Sequence, residues 1–598
     1  MNTWNHSPRP FISLALIWLA STPITWAESD DLSHAAYKIL EQQCSSCHDG
    51  QNHSLDTLDL DLMTDERPGG RDQFIKPGDP EKSYLWALVQ TDVMPKDSSP
   101  LTDEEKKTLR QWIVEGAKFP EFGGDDREFV EDATVLRTIE KHLNATRAEE
   151  REFIRYFSLH TLANNRSVSR DKLRLAAAGL AKAVNSLSRK RSLVTLEPID
   201  EDNVVYAVNL RDLGWDQDNF KKWKRVLAAY PYGSKPGQRG DARRTFDNIK
   251  SNYEVRGFFD GFAYVRADWF VSEALRPPLY HELLDIPETV KEFETAEGFD
   301  RQRDYLRNQM VRGGVLLSNI STQPRVIDYH QAERGVWMSF DFLNQPENDP
   351  ERGDIVRFPL GPDFENNPHP TATFEHAGGE IIFTLPNGLH GYMLVDGEGQ
   401  RIDNGPIEIV ADRSMISGTP EITNGLSCIS CHRHGMIDFY DQIANGHAQV
   451  SASEIAKIEA IYRPEDLQLR LREQREDYLR ALTRVIGPIL QVGDNADKSI
   501  ESFPEPITTV TRLYQRDLDA QQIAAELGLQ DPAQLNRMIE LQTKLISLGL
   551  GILPTGGAIK REHWEARGKD NRESKFQRAA REFGFTPVSR LSVQASPN

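Results

Sequence analysis

The apolar positions change character along the chain. Before residue 120 the pattern is helical: "HAAYKILEQQ" (34–43) puts Ala36, Tyr37, Ile39 and Leu40 on one stripe, which predicts a helix over Ser33–Gln43. "PEKSYLWALVQ" (80–90) predicts a second helix. A third opens at Thr102, which forms a capping box with Glu105, with Leu101 as staple and Leu109, Trp112 and Ile113 facing inward. From about Asp125 to Arg191, 3.6-type spacing predicts helices in "TVLRTIEKHL" (134–143), "EEREFIRYFSLHTLA" (149–163) and "DKLRLAAAGLAKAVNSL" (171–187). "SLVTLEPIDEDNVVYAVNL" (192–210) alternates as strands do, "NFKKWKRVLAAY" (219–230) returns to helix, and about 311–412 is strand-rich. Its clearest hairpin is 379–402, two apolar runs around Pro386-Asn387-Gly388.

Composition sets the scale of the molecule. A chain of 598 residues, 38% hydrophobic and 27% charged, is globular and too long for one core, so two to four units are expected. The 91 acidic against 71 basic side chains give a net charge of −20, which argues against general affinity for nucleic acid or anionic lipid. The N-terminus reads as a secretory leader: Arg9, the apolar "FISLALIWLA" (11–20), then "ITWA" ending at Ala27, where cleavage is expected. The apolar run is shorter than the ~20 residues of a membrane span, so the mature chain is expected to be exported to the periplasm without a span.

The cysteines narrow the chemistry. All four, Cys44, Cys47, Cys428 and Cys431, lie in C-x-x-C-H motifs completed by His48 and His432. At this composition the chance expectation for one such motif is 4×4×15/598², or about 7×10⁻⁴ per chain. Thiols at i and i+3 of a helical turn share a face that can bond the two vinyl groups of a haem, and the histidine at i+4 projects from that face toward the iron. A disulfide would not require a following histidine twice. A thioredoxin-like motif expects a preceding strand, where "HAAYKILEQQ" is helical. Zinc shared between the motifs requires two regions distant in sequence to meet. Two covalently bound c-type haems are therefore expected.

For the first haem, His48 is the expected proximal ligand and Met94 in "DVMPKDSSP" the distal one, because Pro95 fixes the loop between two helices; Met63 is the rival. The Asp-rich run 56–66 lacks the glycine and twelfth-position glutamate of a calcium loop. Together with Cys44–His48, "KPGDPEKSYLWALVQTDVMPKDSSPLTDEEKKTLRQWIVEGA" (76–117) resembles the planctomycete-type cytochrome c domain. That resemblance implies Cys44 and Cys47 as thioether sites, His48 and Met94 as axial ligands, and an all-α fold.

The second motif, "LSCISCHRHGM" (426–436), does not sit in a copy of this unit, since no Met-Pro loop and capped Trp helix follow it. Cys428 and Cys431 are its expected attachment sites and His432 its proximal ligand. Candidates for the opposite face are His447, at most one of His390 and Met393, which point to opposite faces of a strand, and His281 and His330; His434 and Met436 lie too close to His432 to wrap round the iron easily. The body, with "YVRADWF", "RPPLYHELL", "LPNGLHGYML" and "NGLSCISCHRHG", resembles exported bacterial cytochrome-containing proteins, a likeness that brings no particular reaction and differs from the compact di-haem peroxidases. "RLYQRDLDAQQIAAELGL" (512–529) has a helix-turn-helix look but reads as a structural helical pair in an acidic chain. "SRKRS" (188–192) is either a solvated turn or a docking patch for an acidic redox partner.

The expected architecture is multidomain: a leader over 1–27, an all-α cytochrome c-like domain over 28–122, a mixed α+β body over 123–415, and the second attachment segment with a helical C-terminal region over 416–598. The expected function is electron transfer by an exported di-haem cytochrome with a redox partner protein. The alternative is a haem-dependent oxidoreductase or peroxidase with an open site at the second haem and a small-molecule substrate.

Overall fold

The computed structural model describes residues 26–44, 75–95, 100–117, 127–166, 168–254, 259–316, 324–342, 357–407, 410–412, 415–443 and 450–590. Most of residues 1–27, the expected leader, lie outside them, as do Cys47, His48, Met63, His447 and most of the Gly-, Pro- and Asp-containing stretch 119–129, which reads as a linker. The described residues fall into two compact units, one ending at 117 and one starting at 127.

In the first unit the helix over the apolar stripe runs Trp26–Gln43, longer than the spacing predicts, and buries Ala36, Tyr37 and Leu40. Helix Asp103–Val114 carries the expected capping box: the Glu105 N–H donates to Thr102 Oγ1 (3.2 Å) and the Thr102 N–H to Glu105 Oε2 (2.8 Å). Such a cap is worth about 1 kcal/mol. Leu101, Leu109, Trp112 and Ile113 are buried, and Gln43 Nε2 donates to Glu105 Oε1 (3.1 Å), tying the two helices together. The 80–90 stretch is a 3₁₀ turn, Pro80–Lys82, followed by helix Tyr84–Gln90. Ser83 divides them because its hydroxyl accepts from the Lys76 N–H and donates to the Asp79 carbonyl.

The second unit is α+β. Helices Asp132–Ala145, Arg170–Ser186 and Gln217–Ala229 form where spacing predicts them. Residues 149–163 do not form the single expected helix: Ile154–Ser158 is a strand, flanked by a 3₁₀ turn and the short helix His160–Ala163. Ile154, Tyr156 and Phe157 suit a strand buried on both faces. This strand is central, antiparallel to Val205–Asn209 and parallel to Val265–Arg266. Of the stretch 192–210 only Val205–Asn209 is strand, since the partner strand is five residues long.

The strand-rich region is a six-stranded antiparallel meander of Met310–Val315, Arg325–His330, Val336–Phe342, His376–Thr384, His390–Asp396 and Arg401–Ile402. The expected hairpin closes at Pro386-Asn387-Gly388, with the Leu385 N–H donating to the Leu389 carbonyl (2.7 Å). Asn387 Nδ2 donates to the Asn185 carbonyl (2.9 Å), anchoring the tip to helix Arg170–Ser186. Register defines two faces. Asp328, His330 and Phe383 point toward helices Val290–Glu297 and Arg301–Leu306, with Phe383 against Phe293 and His330 bonded to Asp304. The opposite face carries Tyr329, Trp337, Glu380, Tyr392 and Leu394, and packs against the second C-x-x-C-H and the 27-residue helix Pro464–Leu490.

Residues on both sides of position 416 share one core. Helices Pro506–Gln515 and Ala520–Glu526, the helix-turn-helix look-alike, are built into it: Glu526 pairs with buried Arg266 (2.9 Å) and Arg561 (2.5 Å). In the basic run, Arg189 bonds Glu297 (2.8 Å) and the Leu284 carbonyl (2.6 Å). Among the described residues, no helix is long and apolar enough to cross a membrane.

Candidate functional site

Cys44 sits at the C-terminal end of helix Trp26–Gln43, buried, with its N–H still donating to the Leu40 carbonyl (3.0 Å). Met94 lies in the turn after helix Tyr84–Gln90, where the N–H groups of Val93 and Met94 both donate to the Leu88 carbonyl (3.0 and 3.2 Å). Its side chain is half-buried.

The second motif is fully described. Cys428 and Cys431 lie on the short helix Leu426–Cys431, and the His432 N–H donates to the Cys428 carbonyl (2.8 Å), so one continuous turn presents all three side chains. Ser427 Oγ accepts from the Thr423 N–H (3.1 Å), and Thr508 Oγ1 donates to Ser430 Oγ (3.0 Å), fixing the two remaining faces of that turn. The His432 Nδ1–H donates to the Gly435 carbonyl at 3.3 Å. That bond places a proton on Nδ1, so in the neutral imidazole Nε2 is the nitrogen whose lone pair is available to a metal. Gly435 has φ +94°, and a Cβ there would stand 3.1 Å from Tyr478, so the turn presenting this carbonyl requires glycine.

Cys428, Cys431 and His432 line one cavity with about 730 Å³ of empty space, open mouth included. Its walls are mainly apolar, with Leu394, Val395, Ile402 and Ile422 among them. Arg325 also lines it, paired with Asp341 at 3.0 Å, and Arg325 Nη2 is buried without a hydrogen-bond partner. An apolar slot with two thiols and an imidazole on one wall and a spare guanidinium donor for an anionic side group fits a c-type haem.

Burial pushes the Cys428 thiol well above its ordinary range, with the Glu380 carboxylate adding to the effect, and burial raises Cys431 likewise. Both stay protonated and neither is in a disulfide. Among the described residues, no group of three or more His, Cys, Asp or Glu side chains is arranged to hold a metal ion directly. Glu380 stands with Oε2 3.7 Å from His432 Nε2. Burial works against its charge, but His432 and Arg325 hold its carboxyl below the usual range.

None of the expected distal residues among the described ones lines this cavity. His281 accepts from Asn424 Nδ2 (2.7 Å); His330 faces the other side of the sheet, as does Met393, whose neighbours in the strand point the opposite way. His390 packs on Tyr478 with ring centroids 4.7 Å apart, and burial pushes it down to about 3, so it is neutral. Glu380 and Gly435 are the site residues that motif reading misses. The "HG" three residues past the second cysteine hints at Gly435, whereas nothing in sequence marks Glu380, a glutamate on an alternating strand.

A second cavity of about 630 Å³ is lined by Asp132, His160, Tyr230, Tyr264, Arg266 and Glu526. Its polar groups engage one another: Tyr264 donates to Asp132 (2.5 Å), His160 Nδ1 meets Ser158 Oγ (2.7 Å), and Arg266 pairs with Asp268 (2.5 Å) and Glu526. These bonds make it a structural network, with Thr161 Oγ1 the lining atom left without a partner among the described residues.

No curated protein and no solved structure matches the chain. A family model described as Planctomycete cytochrome C matches residues 44–98, a stretch that contains Cys44, Cys47, His48 and Met94 but not the second motif. The N-terminal region of this chain is therefore cytochrome c-like and haem-binding.

Proposed function

We propose that the chain is an exported di-haem c-type cytochrome acting in electron transfer. Cys44 and Cys47 would tether the first haem, with His48 and Met94 as its axial ligands; Cys428, Cys431 and His432 would hold the second. Bound haem supplies one-electron chemistry, and the chain supplies attachment, orientation and a dry environment. The family match at 44–98 supports the first site. The second rests on one observation: both thiols and His432 Nε2 share an apolar cavity while Gly435 takes the other imidazole nitrogen. A His/Met pair raises the reduction potential, which suits exchange with a redox partner protein. Export is supported by the leader ending at Ala27 and by the exported habit of cytochrome c domains of this type.

A second reading, a haem-dependent oxidoreductase or peroxidase, is favoured by the cavity itself, because among the described residues no imidazole or thioether other than that of His432 lines it. Mass spectrometry of the denatured, purified chain tests the di-haem proposal: two added macrocycles are expected, falling to one in Cys428→Ala/Cys431→Ala. A mass increment of only one in the unaltered chain refutes it. Turnover assays on the same protein separate the two readings, since consumption of peroxide or another small substrate favours the enzyme, whereas electron exchange without turnover favours the carrier.

A further inference from the structure

We propose that Glu380 is the group that meets the second haem's iron on the side opposite His432, an inference that rests on Cys428, Cys431 and His432 holding a haem. The Gly435 carbonyl occupies His432 Nδ1, so Nε2 is the metal-facing atom, and Glu380 Oε2 lies 3.7 Å from it. First-row metal bonds to imidazole nitrogen and carboxylate oxygen are each about 2.0–2.2 Å, so two of them together span roughly 4 Å. The observed separation is close to that span.

The strand under Glu380 is fixed. Its N–H donates to Ser339 Oγ (2.9 Å), it is in register with Leu394, and a Cβ on Gly379 would fall 1.9 Å from the Ser339 carbonyl oxygen, so the two chains touch backbone to backbone. The Glu380 side chain has rotatable bonds enough to yield to a macrocycle while its root stays on the cavity wall facing the C-x-x-C-H helix. The described histidines and methionines that could compete are bonded elsewhere, on the other sheet face, or off the cavity wall.

A carboxylate is a harder, weaker-field donor than imidazole or thioether and favours ferric iron, so the second centre would be high-spin and lower in potential than a His/Met centre. The two haems would then be unlike by construction, with the electron held more tightly at the first.

The test compares full-length mature protein with its Glu380→Gln variant by electron paramagnetic resonance and redox titration, with haem mass counted on the same samples. In the unaltered protein one ferric haem is expected to be high-spin. In Glu380→Gln that signal changes and its midpoint potential moves upward, while the other haem is unmoved. Two haems by mass with unchanged signals in the variant overturn the role of Glu380 and leave the second haem standing. A single haem in the unaltered chain overturns both. Should the variant fail to accumulate, the unaltered protein decides: a second haem that is low-spin with a nitrogen or sulfur sixth ligand refutes the inference.

Discussion

Lys182 and Glu505 form an ion pair at 2.8 Å in which each side chain is only 1% exposed. Burial disfavours the Lys182 charge, but the adjacent Glu505 outweighs it and holds the ammonium above its ordinary range. The pair reaches the second C-x-x-C-H through a short relay: Glu505 Oε2 accepts from the Thr508 N–H at the start of helix Pro506–Gln515, and Thr508 Oγ1 bonds Ser430 inside the motif. Lys182→Met removes one charge and strands the other. Breaking such a pair costs about 3–5 kcal/mol, and because Glu505 retains its Thr508 bond, about 3 kcal/mol is expected. With an unfolding entropy of roughly 2.1 cal/mol/K per residue, a unit of this size loses about 3 °C in Tm. Lys182→Met/Glu505→Gln should recover most of it, because no charge is left buried without its partner. Calorimetry on the three forms measures the cycle. A shift below about 1 °C for Lys182→Met, or a double variant no better than the single one, would show that the pair does not carry the predicted energy.

Two further outcomes follow from the geometry. Met94→Ala should change the ligation of one haem only, seen in absorption spectra during a redox titration; unchanged spectra mean that Met94 is not a ligand. Burial, with Glu273 adding, pushes the Glu565 carboxyl up to about 8, while Tyr232 (2.7 Å) and Tyr514 donate to it. The folded chain then keeps this proton from the unfolded value near 4.5 up to about 8. Its contribution is full below that window and declines as pH rises through it. Glu565→Gln, which mimics the protonated form, should lose less Tm than the unaltered protein between pH 5 and pH 8, and equal slopes would count against the assignment.

Local pattern located what depends on near neighbours in the chain. The capping box at Thr102 and Glu105, the inward Leu109, Trp112 and Ile113, the hairpin around Asn387 and the C-x-x-C-H turn at 428–432 are all set by residues within a few positions of one another. Elsewhere tertiary pairing overrode local pattern. The spacing of 149–163 predicts helix, but Ile154–Ser158 is a strand because Val205–Asn209 and Val265–Arg266 flank it.

By itself, then, the sequence determined the reactive inventory: two C-x-x-C-H turns and a cytochrome c-like region around the first. Only the folded chain decided what stands across from the second turn, because Glu380 reaches His432 through sheet register and helix packing, neither of which leaves a trace in residue spacing. Turn-scale contacts are fixed by bonded geometry over a few residues, whereas contacts between distant segments depend on how the whole core closes.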